Sequence, residues 1–110
     1  MMRMWMTNPS TMCRKHLLGE HVECHMLVGA LARKKSIAGY IKRHQLEPKS
    51  VLVRHNALAD EMKKRGYAHK SPLTSPDMSY LPKQAQEEEI NVFKSTLELH
   101  NRCFRCKQFT

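Results

Sequence analysis

His16, Glu20 and Glu23 are the residues of this chain whose types and spacing most invite chemistry. At about 100° per residue they fall at roughly 0°, 40° and −20°, one polar stripe on a stretch otherwise rich in Leu, Met, Ala and Val. A carboxylate in apolar surroundings costs several kcal/mol unless it is paired or protonated, so two in one stripe need a reason. One reason is structural: a bond to backbone, or an arginine from a neighbouring helix. The other is a general acid/base pair beside a basic binding surface. Metal chemistry has its own candidates. His21 and His25 are four apart, on the side of the same helix opposite Glu23, and His100, Cys103 and Cys106 form an HxxCxxC run. One CxxC is half a zinc site, and Cys13 and Cys24 are the remaining thiols that could complete it. Without a metal, the histidines are core or partner-facing groups and the cysteines are free thiols.

The elements that must position these residues read as helices. Thr11 to Arg33 contains no proline and is apolar on most sides, the pattern of a central helix wrapped by the rest of the chain. Ser10 or Thr11 would cap it, and Arg33-Lys34-Lys35 suit the negative pole of its C-terminus. A short helical or irregular stretch over residues 36–41 follows. A second helix runs from Ser50 to Arg65, with Lys63-Lys64-Arg65 in its last turn and Gly66 as a stop. Pro72, Pro76 and Pro82 interrupt the chain, and a third helical pattern spans Glu87 to Lys107. No repeats and no strand alternation are visible. The expectation is an all-α domain of about three helices, with the long first helix central and the N-terminal arm packed between helices. Its sections are a basic core over 1–72, a Pro/Ser linker over 73–82, and a C-terminal helix over 83–110 that packs on the core.

Charge says what the core faces. The 110 residues carry a formal net charge of +9. Residues 1–72 hold 14 Lys/Arg against 5 Asp/Glu, and residues 73–110 hold 5 of each. The whole excess therefore belongs to the first two-thirds, which points to a polyanion, nucleic acid before membrane. The MMRMWM start is too short and too interrupted by Arg3 to be a signal sequence or a span. Four cysteines do not make the framework of a small secreted domain. A soluble, cytoplasmic protein with reduced thiols is expected.

The MRMW run from Met2 to Trp5, HLLGEHVE from His16 to Glu23 and Gly29-Ala30 share an order with later residues: Leu58, Glu61, Lys64-Arg65-Gly66-Tyr67 and HKSPL from His69 to Leu73. Together they resemble the short bacterial and phage branch of the viral-type pyrimidine-dimer DNA glycosylases, the N-terminal-amine glycosylase/AP lyases also called endonuclease V. The resemblance implies damaged duplex DNA, pyrimidine-dimer or abasic, as substrate. It implies Schiff-base formation by the α-amine of the first residue, then β-elimination assisted by a buried glutamate, which carries over as Glu23. An α-amine has a pKa near 8, so a useful fraction is neutral and nucleophilic at physiological pH.

The register places that amine on Met2. With Met1 retained, the nucleophile would be the Met1 amine, displaced by up to about 3.8 Å, where productive attack needs atoms about 3–3.5 Å apart. Arg3 carries over as a phosphate or substrate contact. His16 and Glu20 match family positions behind the site or on its DNA side. The two basic helix ends, Arg33-Lys34-Lys35 and Lys63-Lys64-Arg65, become phosphate contacts. Trp5 reads either as a wedge against DNA or as a core residue pinning the arm. No cofactor is required, and a structural zinc on His21, His25, His100, Cys103 and Cys106 is a separate option. Val22 and Met26 stand where the best-known members carry DNA-holding arginines, a departure that bears on dimer recognition more than on lyase chemistry. The C-terminal aromatic tail of those members is also replaced here by the HxxCxxC run. Two alternatives stay open: a non-catalytic basic DNA-binding protein of the same fold, and a metal-binding regulatory module.

Overall fold

The helix expected between Thr11 and Arg33 forms as α1, Arg14–Ala32, in a computed structural model that describes residues 2–68 and 72–108. Its partner is α3, Val51–Lys64, and their pairing is the backbone of the fold. Between them lie α2, Ala38–Lys42, and a 3-10 turn at Pro48–Ser50. The C-terminal part holds α4, Lys83–Glu87, α5, Val92–Arg102, and α6, Phe104–Gln108. No strand occurs among the described residues, so the chain is all-α as expected. No described helix is long and apolar enough to cross a membrane.

Leu17, Leu27 and Leu31 of α1 meet Leu58 of α3 in the core, which also takes Leu46 and Leu99. Wrapping of α1 is incomplete, however. Val22 and Met26 are 56 % and 44 % exposed, so one apolar strip of the helix faces outward. The cap also differs from expectation. Pro9–Thr11 is a 3-10 turn of its own, capped by Asn8, whose Oδ1 accepts the Ser10 amide at 3.1 Å. Cys13 is the residue that precedes α1, and its carbonyl accepts the Leu17 amide at 2.9 Å.

The N-terminal arm runs without helix from Met2 to Asn8, threaded between helices. Met2, Met4 and Trp5 are buried. Because an extended segment cannot bond to itself, its backbone groups find partners on surrounding elements. The Met4 amide bonds the Gln45 carbonyl at 2.8 Å, Ser95 Oγ of α5 donates to the Trp5 carbonyl at 2.6 Å, and Arg54 of α3 donates to the Thr7 carbonyl at 2.7 Å. The two hydroxyls of Thr7 and Thr96 lie 2.9 Å apart.

The single C-terminal helix expected over Glu87 to Lys107 is instead broken twice. The Ile90 amide is drawn to the buried Glu47 Oε1 at 2.7 Å, and Asn91 then caps a new helix by accepting the Lys94 amide at 3.0 Å. Cys103 adopts extended backbone (φ −129°, ψ 105°) and separates α5 from α6.

Three helices end in the same reversal. The amides of Lys34 and Lys35 bond the carbonyls of Leu31 and Ala30, with matching pairs at His44–Gln45 and at Gly66–Tyr67. Each reversal needs a left-handed residue, with φ 53° at Lys34, 56° at His44 and 83° at Gly66. Only Gly66 adopts it without a steric penalty. Gly66→Ala should therefore cost about 1 kcal/mol and Lys34→Gly should gain a similar amount, the left-handed penalty being roughly 1–2 kcal/mol. Urea unfolding of the two variants checks both signs.

Candidate active site

Glu23 and the start of the N-terminal arm lie together, the Arg3 backbone amide close enough to the Glu23 carboxyl to favour its charged form. The carboxyl is half-buried. Desolvation pushes its pKa up to about 7; the Arg3 amide opposes the shift, and the neighbouring Glu20 charge adds to it. It therefore changes protonation near neutral pH, the range a general acid/base needs. Met2, one residue before that amide, lines a cleft of about 540 Å³ with Val22, His25 and Met26 of α1. Arg33 and Lys35 border the same cleft. A larger cleft, about 610 Å³ and lined by Ile37, Ile41, Tyr80 and Leu81, is not lined by the arm, and Glu23 lines neither cleft.

Glu20 lies on the same stripe and has a different fate. It is 1 % exposed and bidentate to Arg54, with Nε to Oε2 at 2.5 Å and Nη2 to Oε1 at 2.9 Å. Buried in this way, Glu20 has no surface on which to meet DNA. Sequence reasoning missed Arg54, whose guanidinium joins α3, α1 and the arm. The signal was a lone arginine among the apolar positions of α3.

The basic residues divide in two. Arg33, Lys34, Lys35, Lys63 and Lys64 are exposed. Arg65 is turned inward: its Nε bonds Glu61 at 2.8 Å, and Nη2 donates to the carbonyls of Pro9 at 3.1 Å and Met12 at 2.7 Å. Arg3 is likewise occupied, ion-paired to Glu98 of α5 and stacked 3.9 Å from the Trp5 ring centroid. The Glu98 carboxyl is held below its ordinary range by that guanidinium. Trp5 is a buried core residue that pins the arm, its ring T-shaped to that of His16 with 6.1 Å between centroids.

Metal-ligand types gather in two places. His21, His25 and His55, the last from α3, bring their ring nitrogens within 4.8 Å of one another, and the Nε2 atoms of His25 and His55 are 3.1 Å apart. Cys13, His16, Cys103 and Cys106 form the second group. His100 and Cys24 belong to neither. Cys24 is wholly buried, and desolvation pushes its thiol up to about 12. Met1 and residues 69–71, which include most of the HKSPL motif, lie outside the described residues.

Comparison with known proteins bears directly on the arm and on Glu23. Searches of curated proteins and of solved structures found no match. A family model described as pyrimidine dimer DNA glycosylase matches residues 2–75, a stretch that begins at Met2 and takes in α1, the arm and α3. That match spans about two-thirds of the sequence, and the chain belongs to the pyrimidine dimer DNA glycosylase family.

Proposed function

We propose that this protein is a DNA glycosylase/AP lyase that uses the α-amine of Met2, as first residue, and the Glu23 carboxyl on damaged duplex DNA. The observation that carries the reading is the approach of the Arg3 amide to Glu23, which sets the start of the arm beside a half-buried carboxyl with a pKa of about 7. At an abasic site the neutral amine adds to the C1′ aldehyde and water leaves, giving a protonated imine. A carboxylate then takes a C2′ proton. The electron pair moves to form the C2′–C3′ double bond, and the C3′–O bond to phosphate breaks, cutting the strand 3′ to the lesion. Hydrolysis of the imine regenerates the amine. At a damaged base the same amine attacks C1′ while the base departs, and a nearby carboxylate stabilises the developing positive charge. No metal or nucleotide takes part in these steps.

The exposed Arg33 and Lys35 border the cleft that Met2 lines, which supports a role in holding phosphates at the reacting nucleotide, with the exposed Lys34 beside them. Lys63 and Lys64 extend the basic surface. Such contacts add affinity on any sequence by releasing condensed counterions. Arg3 contributes its backbone amide and, through Glu98 and Trp5, the anchoring of the arm. Nicking at abasic sites asks less of lesion recognition than base excision. The exposed, uncharged Val22 and Met26 on the cleft therefore favour abasic DNA over intact dimers as the better substrate.

Borohydride reduction tests the reading, because it converts an imine into a stable protein–DNA adduct. Protein beginning at Met2 should be trapped on abasic duplex and, more weakly, on dimer-containing duplex, with none on undamaged DNA. Acetylating the α-amine should abolish the adduct. Failure of unblocked protein to trap abasic duplex would sink the proposal.

A further inference from the structure

Four ligand-type side chains converge where the start of α1 meets the α5–α6 corner. Cys13 and His16 come from one end of the sequence, Cys103 and Cys106 from the other, and their ligand atoms all lie within 4.8 Å of one another. The Cys13 and Cys103 sulfurs are 3.8 Å apart, and Cys13 Sγ is 3.4 Å from His16 Nδ1. Zn–S bonds of about 2.3 Å and Zn–N bonds of about 2.0–2.1 Å at tetrahedral angles place ligand atoms about 3.8 Å apart for S–S and about 3.6 Å for S–N. The Cys13–Cys103 and Cys13–His16 separations are within about 0.2 Å of those in a zinc tetrahedron.

The backbone supplies an independent observation. The Cys13 amide points at Cys106 Sγ at 3.3 Å and the Cys106 amide at Cys103 Sγ at 3.4 Å. Backbone N–H groups aimed at sulfur stabilise thiolates, the form a metal binds. His16 faces the group with Nδ1. Three thiolates and one imidazole leave a zinc site one negative charge in excess, in a stretch that also carries Arg102, Arg105 and Lys107.

We propose that Cys13, His16, Cys103 and Cys106 bind one structural zinc ion in a closed Cys3His site. Binding releases the thiol protons and changes no oxidation state. Its effect is to staple the C-terminal corner to the start of α1. The Trp5 ring lies T-shaped to that of His16, and Arg3 pairs with Glu98 of α5, so the same clamp steadies the arm. Four protein ligands fill a tetrahedral zinc, which leaves no open position for catalysis. The proposal is independent of the glycosylase reading.

Elemental analysis of the full chain, purified under reducing conditions, should find one zinc per molecule. Cobalt substitution should give thiolate-to-cobalt absorption. Cys103→Ser and Cys106→Ser should each lose the metal, while Cys24→Ser and His25→Ala should keep it. Because a ligand variant can fail to fold, alkylation of the wild-type chain supplies a second readout. Cys13, Cys103 and Cys106 should resist labelling together and become reactive together when a chelator removes zinc. Absence of metal, a Cys103–Cys106 disulfide in its place, or zinc that survives both serine variants and disappears with His25→Ala would overturn the assignment.

Discussion

Replacing Glu23 with Gln is expected to lower strand cleavage at an abasic site by about 10²–10⁴-fold, the span typical of losing a positioned general base. The amide is isosteric and the arm's bonds to Gln45, Ser95, Arg54 and Glu98 are untouched, so the arm keeps its place while the proton acceptor is gone. Affinity for abasic duplex should be unchanged, because the cations proposed to hold phosphate, Arg33, Lys34, Lys35, Lys63 and Lys64, are exposed and make no ion pair with Glu23. In the wild-type enzyme the rate should rise as pH increases through about 7, where the carboxylate forms. Deprotonation of the α-amine, with a pKa of about 7.7–8.0, adds a further rise in the same direction. Glu23→Gln should abolish the lower of the two inflections.

Stability responds with the opposite sign. Desolvation raises the folded-state pKa of Glu23 above its ordinary value of 4.5. Its contribution is fully present below that ordinary value and is lost as pH rises through about 7. The Gln variant should therefore melt no lower than wild type at alkaline pH. Single-turnover cleavage and thermal melts across pH separate the two effects. A variant that kept wild-type cleavage would remove Glu23 from the mechanism.

Arg54→Met is expected to destabilise the domain by about 3–5 kcal/mol, the cost of leaving one partner of a buried ion pair uncompensated. Glu20 would be left as a carboxylate in the core, and the Thr7 carbonyl would lose its 2.7 Å bond. Against a total stability of about 5–15 kcal/mol for a domain, such a loss leaves little in reserve. The double variant Glu20→Leu/Arg54→Met should recover most of it, because a buried pair replaced by apolar side chains is often neutral. The Thr7 carbonyl stays orphaned in both, so cleavage should recover less completely than stability. Urea unfolding of the single and double variants, with cleavage assayed alongside, distinguishes a pair that holds the arm in place from one that merely stabilises the core.

The sequence by itself determined the elements that near neighbours control. Proline-free apolar stretches gave α1 and α3 nearly to their ends, and Gly66 marked the stop of α3 because a left-handed residue is easiest there. Lys34 and His44 take the same conformation without any such signal, in reversals closed by the backbone bonds of Lys35 and Gln45 to Ala30 and Tyr40. The stripe of His16, Glu20 and Glu23 was also legible, as was the concentration of positive charge before residue 73.

What each polar group does was decided by contacts between residues far apart in the chain. Glu20 and Glu23 are alike in sequence, yet only Glu20 finds an arginine, 34 residues away, so one carboxyl is neutralised by pairing and the other stays half-buried with its pKa raised. Arg65 and Lys64 adjoin, but Arg65 turns inward to backbone carbonyls while Lys64 faces water. The CxxH of Cys13 and His16 is local in the sequence, where His16 also falls on the helix stripe with the two glutamates. Its meaning depends on a CxxC about 90 residues later meeting it in space. Local periodicity cannot convey that meeting, because it reflects the turn of one helix, whereas ion pairs and metal ligands depend on how several helices dock.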